Sequence, residues 1–288
     1  MSAFRHPVVA VSHGPGPLWL LKDGFMGMNS KCVAAQNVRT TFPKIYQDAS
    51  HPLPKRILFV TAHWESESKG FEISSSKNPD MIYDYYGFPS EAYDIVYAAK
   101  GEPEFAQKVK DALAQHKIDA KLVDRGFDHG VYVPMSLIRP EADIPIVSMS
   151  INDSLSPKAH FELGKVLKSF RDDETLVICS GQATHNMRAS RDPNDPISEW
   201  AQGFQDWMDK VFSSASTLSY SQREAEIETW HKTAPFARLA HPTPDHFSPF
   251  IVAAGAGMDD SEPAGEKIID GWGTGQFSFA SYAWGIHK

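Results

Sequence analysis

Apolar residues gather in short runs along this chain, each closed by polar or glycine residues, and these runs alternate with stretches of helical spacing. The run Ile57–Leu58–Phe59–Val60 is aliphatic and aromatic and bounded by polar residues, which marks a buried strand. It opens into Thr61–Ala62–His63–Trp64. Val8–Val9–Ala10–Val11 closes in Ser12–His13–Gly14, and Thr175 to Cys179 closes in Ser180–Gly181, followed by Thr184–His185–Asn186. Shorter runs at 70–75, 120–123, 144–151, 267–270 and 277–282 read as further strands. Phe105, Val109 and Leu113 recur at helical spacing within 103–115, and Leu163, Val166, Leu167 and Phe170 do so within 160–170. The stretches 199–212 and 221–232 also read as helices, and weakly patterned helical material extends from the first loop to about Ser50. Pro244–Asp245–His246 before Phe250–Ala254 predicts a helix start, since Pro and Asp suit a first turn. Gly255–Ala256–Gly257 is expected to stop that helix.

This alternation predicts one α/β domain over residues 1–288, with a central, mostly parallel sheet flanked by helices. In open sheets of this kind, ligands bind beyond the carboxyl ends of the strands. Three strand-like runs each deliver a histidine to such an end: His13, His63 and His185. If those strands are neighbours, their imidazoles converge on one edge, and imidazole is the commonest metal ligand. A metal site at the carboxyl-end edge is therefore expected.

Composition removes several alternatives. A chain of 288 residues, 42% hydrophobic and 22% charged, can bury a large core. A net charge of −8 argues against nucleic acid or an anionic membrane as partner. Cys32 and Cys179 are the only cysteines, and Cys179 lies in an apolar run, so no disulfide framework is expected. No run approaches the ~20 apolar residues of a membrane span, and no signal peptide is evident, which makes the cytoplasm the default expectation.

Of the twelve histidines, His6, His51, His116, His231 and His287 stand in polar or terminal contexts and are expected in solvent. His160 opens an amphipathic helix, where packing explains it. His241 either lines a site or closes a turn. His13, His63, His129, His185 and His246 each stand at a strand end or a helix start. Any one of these is explained by an ordinary surface hydrogen bond; five at such junctions point to a shared centre. Gly14–Pro15–Gly16–Pro17 lacks the phosphate-loop pattern, and its prolines remove backbone donors. The chain has no H-E-x-x-H, C-x-x-C or G-x-S-x-G motif. Residues 78–97, dense in Tyr, Asp and Pro, either cover a pocket or pack on their own aromatics.

In chain order, Ser12–His13–Gly14, Thr61–Ala62–His63–Trp64, Asp84–Tyr85–Tyr86–Gly87–Phe88–Pro89, Asp128–His129–Gly130, Ser180–Gly181 with Thr184–His185–Asn186, and His241–Pro242–Thr243–Pro244–Asp245–His246 form a set. The set resembles the LigB-type class III extradiol ring-cleavage dioxygenases, most closely their DOPA 4,5-dioxygenase-like branch. The resemblance implies His13, His63 and His246 as metal ligands, the third being a glutamate in the original LigB enzymes. It implies His185 as the acid/base histidine and His129 as the histidine facing substrate and oxygen. It also implies non-haem Fe(II) for activity, with Zn(II) bound as isolated in some members. Three histidines depart from the two-His-one-carboxylate set of many iron oxygenases. The neutral third ligand removes a negative charge and favours retention of Zn(II).

The residue types suit that reaction. One catechol proton must leave on binding, and a proton must return as the oxygen–oxygen bond breaks; an imidazole of pKa near ~6.5 serves both steps. His185 is the candidate shuttle, and His129 would hydrogen-bond oxygen or substrate. Asp128 either fixes the His129 tautomer or caps a turn. Tyr85, Tyr86 and Phe88 either cover an aromatic ring or pack in the core; with Asp128 and His241 they complete the candidate substrate-lining set. The expected function is Fe(II)-dependent cleavage of a DOPA-like or other small catechol by O2, giving a muconic semialdehyde-type product. The alternatives are a zinc-dependent hydrolase with His185 as general base and a non-enzymatic binding protein on the same fold. A carboxylate-bearing substrate would need an Arg, Lys or His partner, and no basic residue is singled out for that role.

Overall fold

The computed structural model describes residues 4–48, 51–189, 192 and 195–286. Its strands are β1 (Val8–Ser12), β2 (Arg56–Glu65), β3 (Phe71–Ser74), β4 (Ala120–Val123), β5 (Ile146–Ile151), β6 (Thr175–Gly181), β7 (Glu266–Ile269), β8 (Trp272–Gly273), β9 (Phe277–Ser278) and β10 (Ser281–Trp284). The helices are α1 (Val33–Arg39), α2 (Thr41–Ile45), α3 (Pro103–Gln115), α4 (His129–Ile138), α5 (Pro157–Leu167), α6 (Glu199–Phe212), α7 (Tyr220–Glu228), α8 (Trp230–Thr233), α9 (Ala237–Ala240) and α10 (Ser248–Gly257).

One eight-stranded sheet runs in the order β4-β3-β5-β2-β6-β1-β10-β7. Its centre, β5-β2-β6-β1, is parallel. The flanks break the pattern: β3 meets β5 antiparallel, and β10 runs antiparallel to both β1 and β7. The central strands are buried on both faces, which is why they read as continuous apolar runs rather than alternating ones. Successive side chains still part to opposite layers. Val8, Ala10, Leu58, Val60 and Val177 pack with α3, α5, α6 and α10, while Val9, Val11, Ile57, Phe59 and Leu176 pack with α1, α2 and α4.

The last helix ends at Gly257, the end of the expected Gly255–Ala256–Gly257 stop, with all three residues still inside α10. These glycines also serve contact. A Cβ on Gly255 would stand 2.2 Å from the Phe161 carbonyl oxygen, and one on Gly164 would stand 2.2 Å from that of Val252, so the α5 and α10 backbones touch where neither carries a side chain. One sequence expectation is corrected: the run 277–282 is not one strand. It divides into β9, which pairs with β8 in a separate ribbon, and β10, which joins the main sheet. No helix among the described residues is long and apolar enough to cross a membrane.

Candidate metal centre and active site

β2, β6 and β1 are adjacent and parallel, so their carboxyl ends open on the same edge. His13 follows β1 directly, its amide donating to the Gly181 carbonyl at 3.0 Å. His63 lies inside β2 rather than after it. The pairing of β2 with β5 slips between Thr61 and Glu65, and His63 sits in that irregular stretch, where a bulge re-aims a side chain. His246 comes two residues before α10, and His129 is the first residue of α4. The ring centroids of His13, His63 and His246 form a near-equilateral triangle of 4.8, 4.9 and 5.1 Å. One ring nitrogen from each lies within 4.8 Å of the others. His129 stands 3.8 Å from His63, and His185 stacks on His246 at 3.6 Å with the planes 10° apart.

The oxygens behind these rings assign their protons. Pro134 has no N–H, so the Gly130 carbonyl one turn earlier in α4 loses its helical partner. That carbonyl accepts from Ser180 Oγ at 2.6 Å. With its proton so used, Ser180 Oγ accepts from His13 Nδ1–H at 3.1 Å. His13 Nε2 is then a bare lone pair. Asp84 spans two rings: Oδ1 accepts from His129 Nδ1 at 2.8 Å and from the His129 amide at 3.0 Å, and Oδ2 lies 3.3 Å from His63 Nδ1. Asp245 holds His246 Nδ1 at 2.5 Å. Each ring of the triangle thus has Nδ1 engaged and Nε2 left over.

His13 Nε2 and His63 Nε2 face each other at 3.2 Å. Two acceptors so placed repel unless a proton or cation lies between them. Two nitrogens each ~2.1 Å from one ion stand at about this spacing. The donor set therefore fits a divalent cation, held by neutral imidazoles with oxygen partners behind them. Electrostatics agree. Burial, then the neighbouring imidazoles, hold His13 well below the usual histidine range. Burial, then His185, does the same to His246, and burial with His63 lowers His129. Burial alone would raise Asp84, but its bonds from His129 and His63 outweigh this and keep it ionised.

The triangle forms the floor of a cavity of about 250 Å³, lined by His13, His63, His129, His185 and His246 together with Gln182 and an apolar wall. α4 approaches this floor closely. A Cβ on Gly130 would stand 2.6 Å from Thr61 Oγ1 and 3.0 Å from His63 Cδ2, so the helix start reaches the end of β2 only as glycine.

The family model of the catalytic LigB subunit of aromatic ring-opening dioxygenases matches residues 7–282. The chain belongs to the LigB family. Similar proteins include a 4,5-DOPA dioxygenase extradiol from Beta vulgaris, 36% identical over 80% of this chain and 82% of that protein. Dioxygenase tasH from Hapsidospora irregularis is 37% identical over 97% of this chain and 85% of that protein. A crystal structure of an uncharacterised Escherichia coli K12 protein aligns with a TM-score of 0.72 at 26% identity, covering 98% of this chain and all of that one. Membership makes the chain an extradiol ring-opening dioxygenase, and a metal-dependent one.

Within this LigB-family site, Tyr85 and Phe88 line the cavity, but Tyr86, Asp128 and His241 do not. Tyr86 is 92% exposed. Asp128 accepts from Thr61 Oγ1 at 2.8 Å and lies 3.4 Å from Arg125 Nη2; the carboxylate that fixes His129 is Asp84. His241 is buried behind the site, donating to the Ala183 carbonyl at 3.0 Å, and burial pushes its pKa down to about 3. His6, expected in solvent, is buried against Tyr46 and Phe4. His287 lies outside the described residues. Sequence reasoning missed the Asp84, Asp245 and Ser180 contacts. Asp245 adjoins a candidate ligand and was open to discovery; Asp84 lies 45 residues from His129 in an irregular segment, with no periodicity to connect them.

Proposed function

We propose that this enzyme is an Fe(II)-dependent extradiol dioxygenase that opens a small catechol ring to a muconic semialdehyde-type product. His13, His63 and His246 hold the metal, and residues 1–288 act as one catalytic domain. The reading rests on one observation: three ring nitrogens within 4.8 Å of one another, with His129 and His185 against the same triangle. When bound, iron relays electrons between the catechol and triplet oxygen, whose direct reaction is spin-forbidden. The chain does the rest. His185, stacked on His246, takes the catechol proton and returns one as the ring opens. His129 keeps Nε2 as its second polar atom on a ring that lines the cavity, and Asp84 supports positive charge that ring acquires. The apolar wall excludes water and favours a flat aromatic guest.

The test is anaerobic Fe(II) reconstitution followed by oxygen uptake and absorbance scanning over a catechol panel that includes DOPA. One O2 consumed per catechol, with a new yellow semialdehyde band, is expected. No uptake by protein holding one Fe(II) would contradict the proposal and favour hydrolysis by a zinc form.

A further inference from the structure

We infer that the substrate is a catechol carrying an apolar ring substituent, alkyl or aryl, rather than an ionised amino-acid or carboxylate arm. The inference rests on the catechol reading above and concerns what lies beyond the ring. Above the histidines, the cavity wall is built from Leu18, Phe25, Met26, Met28, Phe277 and Phe279, along with the Gly14–Pro17 loop. No Lys, Arg, Asp or Glu lines it among the described residues. The two polar wall residues that are not histidine have their polar atoms turned to the protein. Gln182 Oε1 accepts from the Gly14 amide at 3.2 Å, and its Nε2 donates to the Ser278 carbonyl at 2.5 Å. Tyr85 Oη donates to the Ala92 carbonyl at 2.5 Å and accepts from Tyr132 at 2.7 Å. Pro15 and Pro17 offer no backbone donor.

An ionised arm laid on this wall would give up its water and gain no partner. Toward the mouth, two of the lining residues, Phe25 and Met187, carry the apolar surface outward. Phe25 is 54% exposed and Met187 is 51% exposed. An alkyl or aryl arm buries area on both wall and rim. Three methionines, Met26, Met28 and Met187, let the wall adapt to arms of different shape.

The test compares kcat/KM for catechol, 4-butylcatechol and DOPA on the Fe(II)-reconstituted full chain, with anaerobic binding of each followed by tryptophan fluorescence. One methylene in an apolar pocket is worth about tenfold or more, so 4-butylcatechol is expected to exceed DOPA at least ~10-fold in both readouts. DOPA equal to or better than 4-butylcatechol, with catechol itself turned over, overturns the inference and leaves the catechol reading standing. No turnover of any of the three overturns that reading instead, and the inference with it. In a second arm, Met187→Arg on the exposed rim should bring the ratio toward DOPA by ~10-fold. An unmoved ratio would mean that the arm does not cross this wall, and the inference fails.

Discussion

At the scale of single residues, the site depends on which nitrogen of each histidine is free. Asp84 fixes this for two rings at once, so Asp84→Asn should weaken metal affinity by about 10–100-fold, read by competition with a chelator. Unchanged affinity would remove Asp84 from the centre. His185 contacts the ligand His246 but is not itself in the triangle. His185→Ala should therefore retain one metal per chain by elemental analysis while turnover falls by ~10²–10⁴-fold; full ring cleavage by this variant would refute its role. His241 makes a different prediction. Its folded pKa is about 3, against ~6.5 in an unfolded chain. Between those values the unfolded state binds the extra proton, so this group's contribution is intact above ~6.5 and is lost as pH falls toward 3, at up to ~1.4 kcal/mol per pH unit. Urea midpoints of His241→Gln should fall less steeply than wild type from pH 6.5 to 4.5, and parallel curves would contradict the assignment.

At the scale of elements, the contact of α5 with α10 supports the helix that follows His246. Gly255→Ala places a Cβ 2.2 Å from the Phe161 carbonyl oxygen and should cost about 1–3 kcal/mol, seen as a fall of several degrees in melting temperature. An unchanged melting temperature would show that the helices can part there without cost. A Gly-Ala-Gly segment reads as a terminator, and α10 does end there; only the neighbouring helix reveals that the same residues are a packing surface. The central strands were legible because burial on both faces leaves apolar runs that nothing else explains. The antiparallel flanks were not, since strand direction depends on partners far along the chain. Pro134 shows the limit clearly. The sequence reading does not place it inside a helix, nor show that the carbonyl it frees binds Ser180 and so orients His13.

For the whole molecule, the sheet order places β6 between β2 and β1, and this topology brings His13, His63 and His185 to one edge. The convergence of those histidines was legible as a condition on neighbouring strands. The carboxylates behind the rings were less so, because Asp84 reaches them from a segment with no regular structure. If the ring opens as proposed, both atoms of O2 enter the opened catechol. The deciding experiment runs the Fe(II)-reconstituted enzyme under ¹⁸O2 with the catechol it turns over best and weighs the product before its carbonyl oxygen exchanges. Two labelled oxygens in one ring-opened product are predicted. Product carrying no ¹⁸O would contradict this prediction and favour hydrolysis at this site.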